Sequence, residues 1–126
     1  MTPIRVVCIE DEAEMIDLVS MILSREGYEV VGASGGLQGL QVVEDVQPGL
    51  VLLDLMMPDL DGWEVYQRLK SNPKTSDLPI IVLTARAQSI DKILGLHIAK
   101  VDDYITKPFA PAELLASVQR VLSKHQ

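Results

Sequence analysis

The feature that most constrains this chain is a fivefold alternation of short apolar runs with amphipathic stretches. Residues 4–9 (IRVVCI), 28–33 (YEVVGA), 50–55 (LVLLDL), 80–83 (IIVL) and 103–106 (DYIT) have strand length and strand composition. Between the first two, residues 13–26 carry Ile16, Val19, Ile22 and Leu23 at helical spacing, with Gly27 as a stop. Helices are likewise predicted at 37–46, 62–70, 89 to about 100, and 111–124, with a polar loop at 71–78. The last of these helices turns Leu114, Leu115, Val118, Val121 and Leu122 to one face. The pattern is (βα)5. It predicts an α/β fold: a doubly wound, five-stranded parallel sheet with right-handed crossovers and helices on both faces. Residues 50–55 are the most apolar run and read as a central strand covered on both sides.

A length of 126 residues suits one domain over 1–126, large enough to bury a core without staples. Aromatic residues are scarce, so that core is aliphatic. The net charge of −7 argues against direct nucleic-acid binding and against a polybasic membrane surface. The lone Cys8 has no disulfide partner and reads as a small buried hydrophobe. No run is long enough to span a bilayer and no signal-peptide pattern opens the chain, so a cytoplasmic location is expected.

In a sheet of this kind ligands bind at the carboxyl ends of the strands. The first strand ends in Glu10-Asp11-Glu12, the third at Asp54, the fourth at Thr84-Ala85 and the fifth at Lys107-Pro108. Carboxylates gathered at the edge of an apolar sheet repel one another and lose hydration. At least one must take up a proton unless a cation joins them. A hard divalent ion resolves this, and Mg²⁺ suits a site with few carboxylates and room for water or phosphate oxygens. Asp54 follows three aliphatic residues, an expensive place for an ionisable group without a use. The bland alternative is a turn or cap aspartate.

These pieces resemble the receiver domains of response regulators in two-component phosphorelay signalling: Glu10-Asp11, LVLLDLMMPDLDGWE around Asp54, PIIVLTA ending at Thr84-Ala85, and DDYITKPF with Lys107. The match covers nearly the whole chain. It implies a flavodoxin-like fold of the chemotaxis-regulator kind with strand order 2-1-3-4-5. It implies that Asp54 is the phosphoacceptor, loaded by a sensor histidine kinase or a histidine phosphotransfer protein. Mg²⁺ would be held by Asp11, Asp54 and the Met56 carbonyl, and by Glu10 through a water. The Met56 and Ala85 N–H groups, the Thr84 hydroxyl and Lys107 would meet the phosphoryl oxygens. Thr84 and Tyr104 would form a switch that alters the face made by the fourth predicted helix, the fifth strand and the last helix. Such a protein catalyses only its own phosphorylation and dephosphorylation and is otherwise not an enzyme. Lys107-Pro108 resembles the family's cis peptide.

Some features depart from the pattern. The acidic pair is Glu-Asp rather than Asp-Asp. Lys100-Val101 stands where many relatives have Gly-Ala. Asp102 and Asp103 match the DNA-binding subfamily, but Leu94 and Ser117 replace arginines usual there. The acidic side would then lack its partners, and that dimer is not expected. His97 and His125 read as solvated surface groups, and Trp63 as a partly exposed aromatic. Glu113 is placed to complement the dipole of the last helix. Arg86, two residues after Thr84, is placed to modulate hydrolytic water. The competing functions are a receiver-like binding module that works without phosphorylation, and an enzyme on a similar sheet. An aspartate-nucleophile phosphatase wants Asp where Met56 stands, and a flavin carrier would find its phosphate repelled by Glu10-Asp11-Glu12.

Overall fold

The computed structural model describes residues 2–85 and 101–125. The predicted helix at 89–100, with Arg86, Leu94 and His97, lies outside the described residues. The strands are Arg5–Ile9 (β1), Glu29–Ala33 (β2), Leu50–Asp54 (β3), Ile80–Thr84 (β4) and Asp103–Thr106 (β5). The helices are Ala13–Ser24 (α1), Gly36–Val46 (α2), Gly62–Ser71 (α3) and Pro111–Lys124 (α4). All strand pairs are parallel and the order is β2-β1-β3-β4-β5, the flavodoxin-like arrangement the resemblance implied.

The period-2 pleat divides the aliphatic core in two. Val6, Cys8, Leu50, Leu52, Ile81, Leu83 and Ile105 face α1 and α4, where they meet Val19, Leu23, Leu114 and Val118. Val7, Ile9, Val51, Leu53 and Ile80 face α2 and α3, where they meet Val43, Val65, Tyr66 and Leu69. Each such side chain contributes about 1.5–3 kcal/mol on leaving water. β3 and β4 are buried along their whole length, as two-sided coverage demands. Cys8 is buried and free, and burial pushes its thiol up to about 12.

α1 ends at Ser24, two residues before the sequence pattern does. Gly27 takes φ +86°, and the Tyr28 N–H turns back to the Leu23 carbonyl at 3.2 Å, which closes the helix. α3 begins where Asp61 Oδ1 accepts the Trp63 N–H at 2.8 Å. Glu113 accepts the Ala110 N–H at 3.0 Å, so it caps α4 directly as well as complementing its dipole. Among the described residues no helix is long and apolar enough to cross a membrane.

Candidate functional site

The sheet order brings four separated stretches of chain to one edge. β1 and β3 are in register at Ile9 and Leu53, so Glu10 and Asp54 come next on neighbouring strands. Asp54 pairs with Leu83, which sets Thr84 one step further along β4. Thr84 pairs with Thr106, and Lys107 follows, its N–H donating to the Thr84 carbonyl at 2.8 Å. The Lys107–Pro108 peptide is cis.

Three polar side chains here are withdrawn from water: Glu10 is 0% exposed, Asp54 3% and Thr84 1%. Lys107 Nζ lies 2.5 Å from Glu10 Oε2, 3.6 Å from Asp54 Oδ2 and 3.9 Å from Glu12 Oε1. The other oxygen of Glu10 accepts the Glu12 N–H at 3.3 Å. Asp54 Oδ1 accepts the Met56 N–H at 3.1 Å. Met56 and Ala85 are otherwise exposed, with their main chains beside the acidic edge.

The electrostatics follow from burial. Glu10 loses hydration and faces Asp54, and despite the bond from Lys107 its carboxyl is pushed up to about 7. Asp54 is also raised, first by burial and then by the nearby Asp11, against the pull of the Met56 N–H and of Lys107. Burial disfavours the Lys107 ammonium, but the bond to Glu10 and the charge of Asp54 outweigh it and raise its pKa. Among the described residues, the single ammonium of Lys107 stands against the carboxylates of Glu10, Asp11, Glu12 and Asp54, which leaves excess negative charge.

That excess suits a cation. Oxygens of Glu10, Asp11 and Glu12 lie within 4.8 Å of one another, and Asp11 and Glu12 are exposed. A hard ion with oxygen ligands fits such a donor set. The sequence reading placed Glu12 in the acidic cluster but not among the metal ligands. Its place beside Lys107 emerges only once the sheet brings β1 and β5 to one edge.

Tyr104 stands 45% exposed on β5, where it pairs with Val82, two residues before the buried Thr84 on β4. Asp103 accepts from the Ser117 hydroxyl at 2.6 Å and pairs with Arg120 within the same chain, which leaves the expectation about the subfamily's dimer untouched. One surface expectation needs refinement. His125 is not merely solvated, because its Nε2 lies 2.9 Å from Asp102 Oδ1. The other oxygen of Asp102 accepts the Ile80 N–H at 2.8 Å. Trp63 is half-buried and meets Tyr66 edge-on, with ring centres 5.3 Å apart.

Residues 6–119 match the family model of the response regulator receiver domain. The chain is 42% identical over 120 residues to the DNA-binding dual master transcriptional regulator RpaA of Synechocystis, covering 95% of this chain and 49% of that protein. It therefore spans about half the length of this curated relative. Among solved structures, it resembles a chain from Chloroflexus aurantiacus assigned as a response regulator, with TM-score 0.87 and 32% identity, over 96% of this chain and 98% of that one. The chemotaxis response regulator CheY4 of Vibrio cholerae superposes with TM-score 0.87 at 28% identity, over 95% of this chain and 99% of its own.

Proposed function

The chain belongs to the response regulator receiver domain family, and on that premise we propose that it accepts a phosphoryl group on Asp54 with Mg²⁺ bound at the adjoining carboxylates. The observation that carries this reading is the convergence on Asp54: a nearly buried carboxylate at the end of a central strand, with Lys107 Nζ 3.6 Å away and Glu10 beside it. The donor is a phosphohistidine on a sensor kinase or phosphotransfer protein. The Asp54 Oδ–P bond forms as the donor P–N bond breaks, and the leaving imidazole takes a proton.

Asp11, Asp54 and the Met56 carbonyl would hold the ion, with Glu10 acting through a water and Glu12 adding a further nearby carboxylate. Mg²⁺ there supplies positive charge against the incoming phosphoryl oxygens. Lys107 supplies more, and exchanges part of its hold on Glu10 for the phosphoryl group. The Met56 and Ala85 N–H groups and the Thr84 hydroxyl receive the remaining oxygens. Movement of Thr84 toward the phosphoryl group opens space for Tyr104, which changes the face formed with α4 and the segment at 89–100.

Receiver domains are signalling modules, and the activity proposed is confined to the protein's own phosphorylation and dephosphorylation. The DNA-binding activity in the name of the Synechocystis relative belongs to a protein about twice this length. A net charge of −7 supports leaving it out of these 126 residues. The test is titration with Mg²⁺ and then beryllofluoride, read by Trp63 fluorescence and amide NMR, with labelling by acetyl phosphate in parallel. Saturable changes with both ligands and a label lost in Asp54→Asn are expected. A protein that binds neither and takes no label overturns the reading.

A further inference from the structure

The carboxylate of Asp59 lies across the N-terminus of α2. Its Oδ1 accepts the Gly36 N–H at 3.1 Å and its Oδ2 the Leu37 N–H at 3.2 Å. The first N–H groups of a helix have no intrahelical partner, and a local Ser, Thr, Asp or Asn usually serves them. Here the N-cap residue is Gly35, which has no side chain to offer. Its backbone is extended, so the conformation does not require glycine. A side chain there would crowd the cap: a Cβ at Gly35 would stand 2.9 Å from Asp59 Oδ2, which would have to shift. The cap is thus delivered from 22 and 23 residues away in sequence.

Asp59 lies midway in the segment that leaves β3 after Asp54. The far end of this segment is closed by the Gly62 N–H, which donates to the Leu55 carbonyl at 3.2 Å, and by Asp61 capping α3. Its near end carries Met56, whose N–H reaches Asp54. Between these points, Asp59 ties the segment sideways to a different helix. The two backbone N–H groups hold its carboxyl below the usual range, as they must if the anion is what they bind.

We propose that Asp59 is a positioning residue for phosphoryl acceptance: its two-pronged hold on Gly36 and Leu37 fixes the segment that sets the Met56 main chain beside Asp54. This rests on the reading of Asp54 as acceptor. The side-chain hydrogen bonds of this residue go to α2.

The test is the labelling rate with acetyl phosphate under saturating Mg²⁺, in which an Asp54 Oδ–P bond forms as the donor's O–P bond breaks and acetate leaves. Urea curves establish that each variant is folded under the labelling conditions. Asp59→Ala is expected to slow labelling about tenfold, inside the roughly hundredfold that a 1 Å misplacement can cost. Asp59→Asn, which keeps one acceptor oxygen, falls between. Gly35→Ala crowds the carboxylate while leaving Asp59 in place, and slows labelling by no more than Asp59→Ala does. The double variant Gly35→Ala/Asp59→Ala is no slower than Asp59→Ala alone, since both routes break one contact. If wild type is labelled and folded Asp59→Ala is labelled equally fast, this inference falls while the Asp54 reading stands. A lowered melting temperature with an unchanged rate also overturns it. If wild type takes no label, both fall.

Discussion

Lys107 is bonded to Glu10 more closely than to Asp54: its Nζ sits 2.5 Å from one carboxylate and 3.6 Å from the other. The ammonium beside Asp54 is therefore engaged with a buried glutamate that would otherwise be stranded. Removing it strips compensation from Glu10 and raises the negative charge at the edge. Lys107→Ala is expected to cost on the order of 3 kcal/mol in urea denaturation without metal, the scale for breaking a buried pair from one side. The same variant should bind Mg²⁺ several-fold more tightly by Trp63 fluorescence, yet label more slowly. Weaker Mg²⁺ binding would contradict this account of the charge balance.

Asp54→Asn removes the acceptor and also a carboxylate whose pKa burial has raised. The neutral amide should stabilise the metal-free fold by roughly 1 kcal/mol, the lower end of the cost of an uncompensated buried polar group. The midpoint in urea should rise in EDTA, and the gain should shrink when Mg²⁺ is added. A lower midpoint in EDTA would show that Asp54 is needed for structure.

Asp103 gives a pH signature away from the site. Burial raises its pKa, but the Ser117 hydroxyl, the Tyr104 N–H and Arg120 together bring the folded value below the ordinary one. A depressed folded pKa means stability that is present above the unfolded value, near 3.9 for a model aspartate, and lost as pH falls through the lower folded value. Wild type should therefore melt higher than Asp103→Asn at pH 7, with the difference closing once pH drops below about 4. A gap that is constant with pH would show that the charge on Asp103 contributes nothing.

Gly62 has no room for a side chain, since an added Cβ would lie 2.5 Å from both the Asp54 carbonyl oxygen and the Leu55 Cα. Those atoms belong to β3 and its exit and cannot swing aside. Gly62→Ala should cost about 1–3 kcal/mol by denaturation, the usual penalty of overpacking. It should also reduce acetyl phosphate labelling, because the displaced backbone is that of the acceptor. Full stability with full labelling would mean that the backbone yields more easily than this geometry implies.

The repeating pattern was legible in the sequence because each apolar run and each helical stripe is local. Asp103–Thr106 and Pro111–Lys124 match the predicted boundaries, and the ends of other elements moved by a residue or two where turn geometry intervened, as at Gly27. The residues of the candidate edge were legible for the same reason, since each closes an apolar run. What they touch was not. The bond between Lys107 and Glu10 joins positions 97 apart, and nothing in either neighbourhood predicts that this carboxylate has first claim on the ammonium. Glu12 was legible as part of the acidic cluster, but its approach to Lys107 was not. The meeting of Asp59 with the start of α2 was not legible either, because it exists only across two βα units. His125 and Asp102 likewise meet only when α4 returns along the sheet.

Position 10 comes from the first strand and position 107 follows the last, with 54 and 84 between them. A chain emerging from the ribosome thus displays Asp54 long before Lys107 has been made. No fragment that stops short of β5 holds the whole set. If Asp54 accepts the phosphoryl group as proposed, readiness to be charged therefore reports that β1 through β5 have assembled: a half-melted sheet carries the aspartate but lacks its surroundings.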